Sequence, residues 1–163
     1  MLLYKKQDVD LDGFFHKELA RGFDAKGLDT LHFDNYKAFV YLKNLLLYYT
    51  TKKINFLYYS DVYDKTLDVQ KKFSDTITFL EGICPGFIKV RFGESGKIYI
   101  VKAKNFYGKL AKNNQYNNDG QNVYQQLEEN LEGYISCLNY IVEKPDDIVK
   151  NFLRDLNIPI IGD

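Results

Sequence analysis

The sharpest chemical string in the sequence is Asp8-Val9-Asp10-Leu11-Asp12-Gly13, three carboxylates at alternate positions closed by a glycine. Alternate aspartates followed by a sharp turn can wrap a hard cation, calcium or magnesium, in oxygen ligands. Asp8, Asp10 and Asp12 are therefore the candidate metal residues, and no other cofactor is indicated. The remaining reactive groups are few. His16 and His32 are the only histidines and lie in no HxH, HExxH or triad-like string, so each reads as structural. Cys84 and Cys137 form no CxxC pair, which excludes a disulfide framework and a cysteine-rich zinc site and leaves two buried thiols.

Three resemblances follow from short strings. Asp8 to Gly13 resembles the DxDxDG opening of an EF-hand calcium loop, although the twelfth loop position, where that family has a bidentate glutamate, is Leu19, with Glu18 one residue early. The same string is similar to the start of a haloacid-dehalogenase phosphatase, with Lys144-Pro145 and Gly162-Asp163 as later parts. That resemblance implies Asp10 as nucleophile, Asp12 as general acid, Lys144 on the transferring phosphoryl group and Asp163 on Mg²⁺. Phe14 stands where that family has threonine, and no four-residue apolar strand leads into Asp10. Residues 98–104 resemble the second half of a PD-(D/E)xK nuclease motif, but the carboxylate two residues before the lysine is missing: Ile100 precedes Lys102, and Lys102 precedes Lys104.

The surplus in the composition lies elsewhere. Fourteen tyrosines and twelve phenylalanines accompany no tryptophan, more phenol than one core buries with every hydroxyl satisfied. Tyr48, Tyr49, Tyr58, Tyr59, Tyr63, Tyr107 and Tyr116 are the candidate protein-interface residues, because tyrosine gives large contact area at low rotamer cost and keeps a polar tip. Stacked tyrosines beside Lys102, Lys104, Lys109 and Lys112 would also suit single-stranded nucleic acid. Yet 22 basic residues balance 22 acidic ones, so no global field draws polyanions or an anionic membrane.

Positioning these side chains falls to one domain spanning residues 1–163, with 45% hydrophobic and 27% charged residues, a globular composition. No apolar run reaches the roughly 20 residues of a membrane span. The N-terminal residues lack the pattern of a signal peptide, and cytoplasmic residence is expected. Asp12 is predicted to cap a helix from Gly13 to about Arg21, and the segment Phe23 to Phe33 reads as loop. Asp34 is predicted to cap a long helix carrying Tyr36, Phe39, Val40, Leu46 and Leu47 on one face, and Ser60 or Asp61 a third in which Val62, Thr66, Val69, Phe73, Ile77 and Leu80 recur. Alternation at Ile88, Val90 and Phe92, the turn Gly93 to Gly96, and the run Lys97 to Lys104 predict a β-hairpin. Asn113 to Asn122 reads as an exposed loop, Val123 to Ile141 as a fourth helix, and Pro145 as the start of a fifth. Leu2 to Lys6 reads as an edge strand.

The fold expected is thus α+β: mainly helical, about five helices, with a central β-hairpin and short edge strands. The function expected is that of a non-enzymatic protein-interaction component, working through a protein partner or self-assembly. It would be a subunit of a larger assembly, phage or viral structural proteins included, or an inhibitor or immunity-type protein. A metal-dependent phosphatase and a single-strand nucleic-acid binder are the alternatives.

Overall fold

The computed structural model describes residues 11–51, 66–93, 95–116, 122–143 and 150. Its elements there are all helical: α1 (Leu11–Ala25), α2 (Phe33–Thr51), α3 (Leu67–Ile83), α4 (Phe87–Phe92), α5 (Gly96–Ala111) and α6 (Val123–Glu143). Helix α6 is the hub, packing on α1, α2, α3 and α5, while α3 packs on α2, α4, α5 and α6.

This corrects the α+β expectation. The segment assigned to a hairpin is the short helix α4 and the helix α5, and no strand occurs among the described residues. Strand propensity at Ile98, Ile100 and Val101 is worth well under 1 kcal/mol per residue, and it is outweighed by a period that the alternation conceals. Ala103, Phe106, Tyr107 and Leu110 recur every three or four residues and are buried. Each large side chain of that set gains roughly 1.5–3 kcal/mol on leaving water. Ser95 starts the helix, its hydroxyl accepting the Lys97 N–H at 3.2 Å, so the residues read as a hairpin turn are a helix cap. The edge strand at residues 2–6 and the fifth helix at Pro145 lie outside the described residues.

The other helices lie near their predicted positions with shifted ends, but α2 turns a different face inward: Ala38, Phe39, Leu42, Leu45, Leu46 and Tyr49 are buried, and Tyr36, placed on the predicted apolar face, is exposed. Asp12 and Asp34 sit inside the first turns of α1 and α2, where a carboxylate favours the positive end of the helix dipole. Helix α1 outruns its predicted end at Arg21, so Phe23, read as loop, is fully buried. It stops at Gly27, whose φ of 72° permits a Schellman closure: the Leu28 N–H donates to the Phe23 carbonyl at 2.9 Å and the Gly27 N–H to Asp24 at 3.1 Å. Thr66, read as part of the third helix's apolar face, is instead its N-cap, accepting the Val69 N–H. Ser60 and Asp61 lie outside the described residues. Asn139 of α6 secures the other end of α3 by donating to the Glu81 and Gly82 carbonyls, each at 2.8 Å, groups that the helix itself leaves without donors.

Candidate functional site

The densest polar cluster is buried where α2, α3, α5 and α6 converge. Asp75 on α3 accepts the Tyr41 hydroxyl at 2.6 Å and the Tyr107 hydroxyl at 2.7 Å on one oxygen, and Lys71 Nζ at 2.7 Å on the other. Helical spacing makes the lysine possible, since Lys71 and Asp75 are four residues apart on α3. The rings form a wall round the carboxylate. Tyr124 stacks on Tyr107 at 6.1 Å and meets Tyr41 edge-on at 5.6 Å, while Lys71 Nζ lies 5.6 Å from the Tyr41 centroid. Thr78 touches the Tyr107 hydroxyl at 3.3 Å, and Tyr49 shares a 2.6 Å hydrogen bond with Thr76, the residue after Asp75.

Electrostatics make this cluster a lock. Burial, and then the Asp75 charge, raise the Tyr41 and Tyr107 phenols well above their ordinary value, so both stay protonated and donate. Burial alone would lower Lys71, but the Asp75 carboxylate more than offsets it and the ammonium stays charged. The carboxylate is thus held by three donors, and Tyr41, Tyr107 and Lys71 all keep their protons near neutrality.

Of the predicted interface tyrosines, the four described ones, Tyr48, Tyr49, Tyr107 and Tyr116, do not share one surface. Tyr107 is fully buried in the Asp75 cluster and Tyr49 is buried against Phe79, with ring centroids 4.9 Å apart. Tyr116 is half-buried, edge-on to Tyr124, and donates its hydroxyl to Asp68. Tyr48 is exposed, its ring edge-on to Tyr49. Tyr58, Tyr59 and Tyr63 lie outside the described residues.

Of the candidate metal residues, Asp12 pairs with Lys43 at 3.3 Å, and Asp8 and Asp10 lie outside the described residues. Where an EF-hand would keep a loop, α1 already runs from Leu11; Leu19 is fully buried in the core and Glu18 is committed to Arg21 at 2.8 Å. Among the described residues no three His, Cys, Asp or Glu side chains converge as a metal site. Lys144 and Asp163 lie outside the described residues. His16 rests edge-on against Phe39 at 5.0 Å, and the His32 N–H donates to the Asp29 carbonyl. Both cysteines are buried free thiols, pushed by burial up to about 12, too high for a nucleophile at neutral pH.

No protein-family model, curated protein or solved structure matches this chain. The residues themselves must therefore carry the functional argument, and those left facing solvent are informative. Leu31 is 92% exposed, with Phe33 and Tyr36 exposed beside it. Their turn is ordered by Asp29: its carboxylate accepts the Leu31 N–H at 2.8 Å, and its carbonyl accepts the His32 N–H at 3.1 Å and the Asn35 side-chain amide at 3.1 Å. Lys37 caps the Phe33 ring at 4.9 Å. On α5, Ile98 and Val101 are exposed one turn apart, and Val90 is exposed on α4. Sequence reasoning missed both sets. The Asp29 turn had a legible signal, an aspartate two residues before an apolar one in a loop; the α5 pair was hidden by the strand assignment. Among the described residues no helix is long and apolar enough to cross a membrane.

Proposed function

We propose that this chain is a non-enzymatic protein-interaction component, a subunit of a larger assembly or an inhibitor that occludes its partner. The observation that carries this reading is the exposed cluster of Leu31, in the turn before α2, with Phe33 and Tyr36 on the first turn of that helix, beside a turn ordered by the hydrogen bonds of Asp29. An ordered apolar projection loses little entropy on binding and gains the full area it buries. The buried ionisable groups support the same reading, because Asp75, Lys71, Tyr41 and Tyr107 are spent on one another. A nucleic-acid role draws support from the four lysines of α5. Against it stand the four glutamates of the adjoining α6 and the aliphatic character of exposed Ile98 and Val101, which offer no base-stacking ring.

The test is affinity capture from the native host, followed by reconstitution with the purified partner. A stoichiometric complex that Leu31→Asp combined with Phe33→Asp weakens supports the reading. Recovery of neither a stoichiometric partner nor self-association would remove it.

A further inference from the structure

Helices α5 and α6 carry opposite charges with no exception along their length. Gly96–Ala111 holds Lys97, Lys102, Lys104 and Lys109 and no acid; Val123–Glu143 holds Glu128, Glu129, Glu132 and Glu143 and no base. The two run side by side and antiparallel. Lys104 pairs with Glu132 at 2.9 Å, and four residues further along α5 the Glu128 carboxylate packs onto Gly108. Among the described residues Lys97, Lys109, Glu128, Glu129 and Glu143 have no ion-pair partner. One face of the molecule therefore presents a basic stripe beside an acidic stripe, in a chain of zero formal net charge.

We propose that this α5–α6 face binds a second copy of the chain about a two-fold axis parallel to the two helices. The proposal rests on the interaction reading above and names its partner. Such an axis lays α5 of each copy over α6 of the other, so both stripes meet their complements at once, the self-complementarity a two-fold interface requires. Although α6 bends at Asn130, whose φ of −127° and ψ of 24° are not helical, the Lys104–Glu132 and Gly108–Glu128 contacts fix the antiparallel register on both sides of the bend, so Lys109 stands level with Leu127 and Val101 with Ile135. On the outer side of α6 these levels are occupied by exposed Glu129, and by exposed Gly133 with half-buried Ser136. Lys109 of one copy then meets Glu129 of the second copy, and Lys97 approaches Glu143 of the second copy. Exposed Ile98 and Val101 settle over Gly133 of the second copy, where a Cβ would meet nothing within 4 Å. The product is a four-helix layer with an apolar centre and charged flanks.

The size of the face sets the strength. Sixteen residues of α5 span about 24 Å at 1.5 Å per residue, and two helices are about 20 Å wide. Roughly 500 Å² per copy is below the ~800 Å² of a standard interface, so the dimer is reversible and depends on concentration and salt.

Sedimentation velocity over a protein concentration series, at low and high NaCl, tests this on the full chain. A monomer–dimer equilibrium is expected, weakening about tenfold or more as salt shortens the Debye length. Lys109→Glu and Glu129→Lys, both at exposed positions, should each weaken it about tenfold by setting like charges opposite. The two substitutions in one chain, or an equimolar mixture of the two single variants, should restore it; far-ultraviolet circular dichroism confirms that each variant is folded. Val101→Asp should also abolish the dimer. A wild type that stays monomeric at low salt overturns the proposal, as does failure of the double variant to recover. So does a monomeric chain that binds a labelled oligo-dT through Lys109, which would give the face to nucleic acid. Capture of a different stoichiometric partner by a monomeric chain defeats this inference alone and leaves the broader reading intact; absence of both defeats both.

Discussion

Gly22 of α1 lies so close to Cys137 of α6 that a methyl group added at Gly22 would stand 2.5 Å from the Cys137 carbonyl oxygen. On another side of α6, Gly82 of α3 leaves 2.6 Å between such a methyl and Leu138 Cβ. Two consecutive residues of the hub helix are thus gripped between two glycines, Gly22 against the Cys137 backbone and Gly82 against the Leu138 side chain. Gly22→Ala pushes against a backbone carbonyl that cannot rotate away, and the expected loss is about 3 kcal/mol. Gly133→Ala, helical and open to solvent, should instead gain up to about 1 kcal/mol. Urea unfolding of both variants checks this; equal effects would show that the close approach at Gly22 is unimportant.

The Asp75 cluster should behave as one unit. Asp75→Asn leaves Lys71 without its counter-charge and is expected to lose about 2–4 kcal/mol. Tyr107→Phe removes one donor and is expected to lose about 1–2 kcal/mol. Asp75→Asn keeps an oxygen that can accept the Tyr107 hydroxyl but removes the charge that strengthens that bond, so the double variant should lose less than the sum. A double-mutant cycle by chemical denaturation measures this, and strict additivity would mean that the two groups are not coupled.

Alkaline pH should loosen the fold through its thiols. Cys84 and Cys137 are raised by burial from 9.0 to about 12, so the folded chain keeps two protons that the unfolded chain releases near pH 9. Stability is unaffected by these groups below that point. Above it, stability falls by up to about 1.4 kcal/mol per pH unit for each thiol. Above about pH 10 the raised phenols of Tyr41 and Tyr107 add to the same slope. In Cys84→Ala the slope between pH 9 and 10 should be shallower by the larger part of one proton, even though the variant is less stable throughout. An unchanged slope would show that Cys84 ionises in the folded protein.

The Leu31 turn should separate binding from folding. Leu31→Asp with Phe33→Asp alters exposed side chains and should change stability by less than about 0.5 kcal/mol. Asp29→Ala deletes the carboxylate that accepts the Leu31 N–H, so it should weaken partner binding through lost order although it touches only the turn. Isothermal titration with the captured partner reads the difference; wild-type affinity in Asp29→Ala would mean that the order of the turn is irrelevant.

Helices with a clean apolar face were legible, because burial of one stripe is repeated along the chain and needs no knowledge of the neighbour. That holds for α3, where Phe73, Ile77 and Leu80 are buried, and for α6, where Leu127, Leu131, Leu138 and Ile141 mark a face that the structure buries. The two free buried thiols were legible in the same way, from their number and surroundings.

What the chain alone could not disclose depended on which faces meet. The β-branched run at Ile98, Ile100 and Val101 suited a strand, and only the packing of Ala103, Phe106, Tyr107 and Leu110 decided for a helix, leaving Ile98 and Val101 in solvent. Tyr107 carried the same signal as Tyr48, yet one became the core donor to Asp75 and the other stayed exposed. Residue type sets what a side chain can do; its neighbours, brought from 30 or more positions away (Tyr41, Asp75 and Tyr107 among them), set whether it is spent inside or left available.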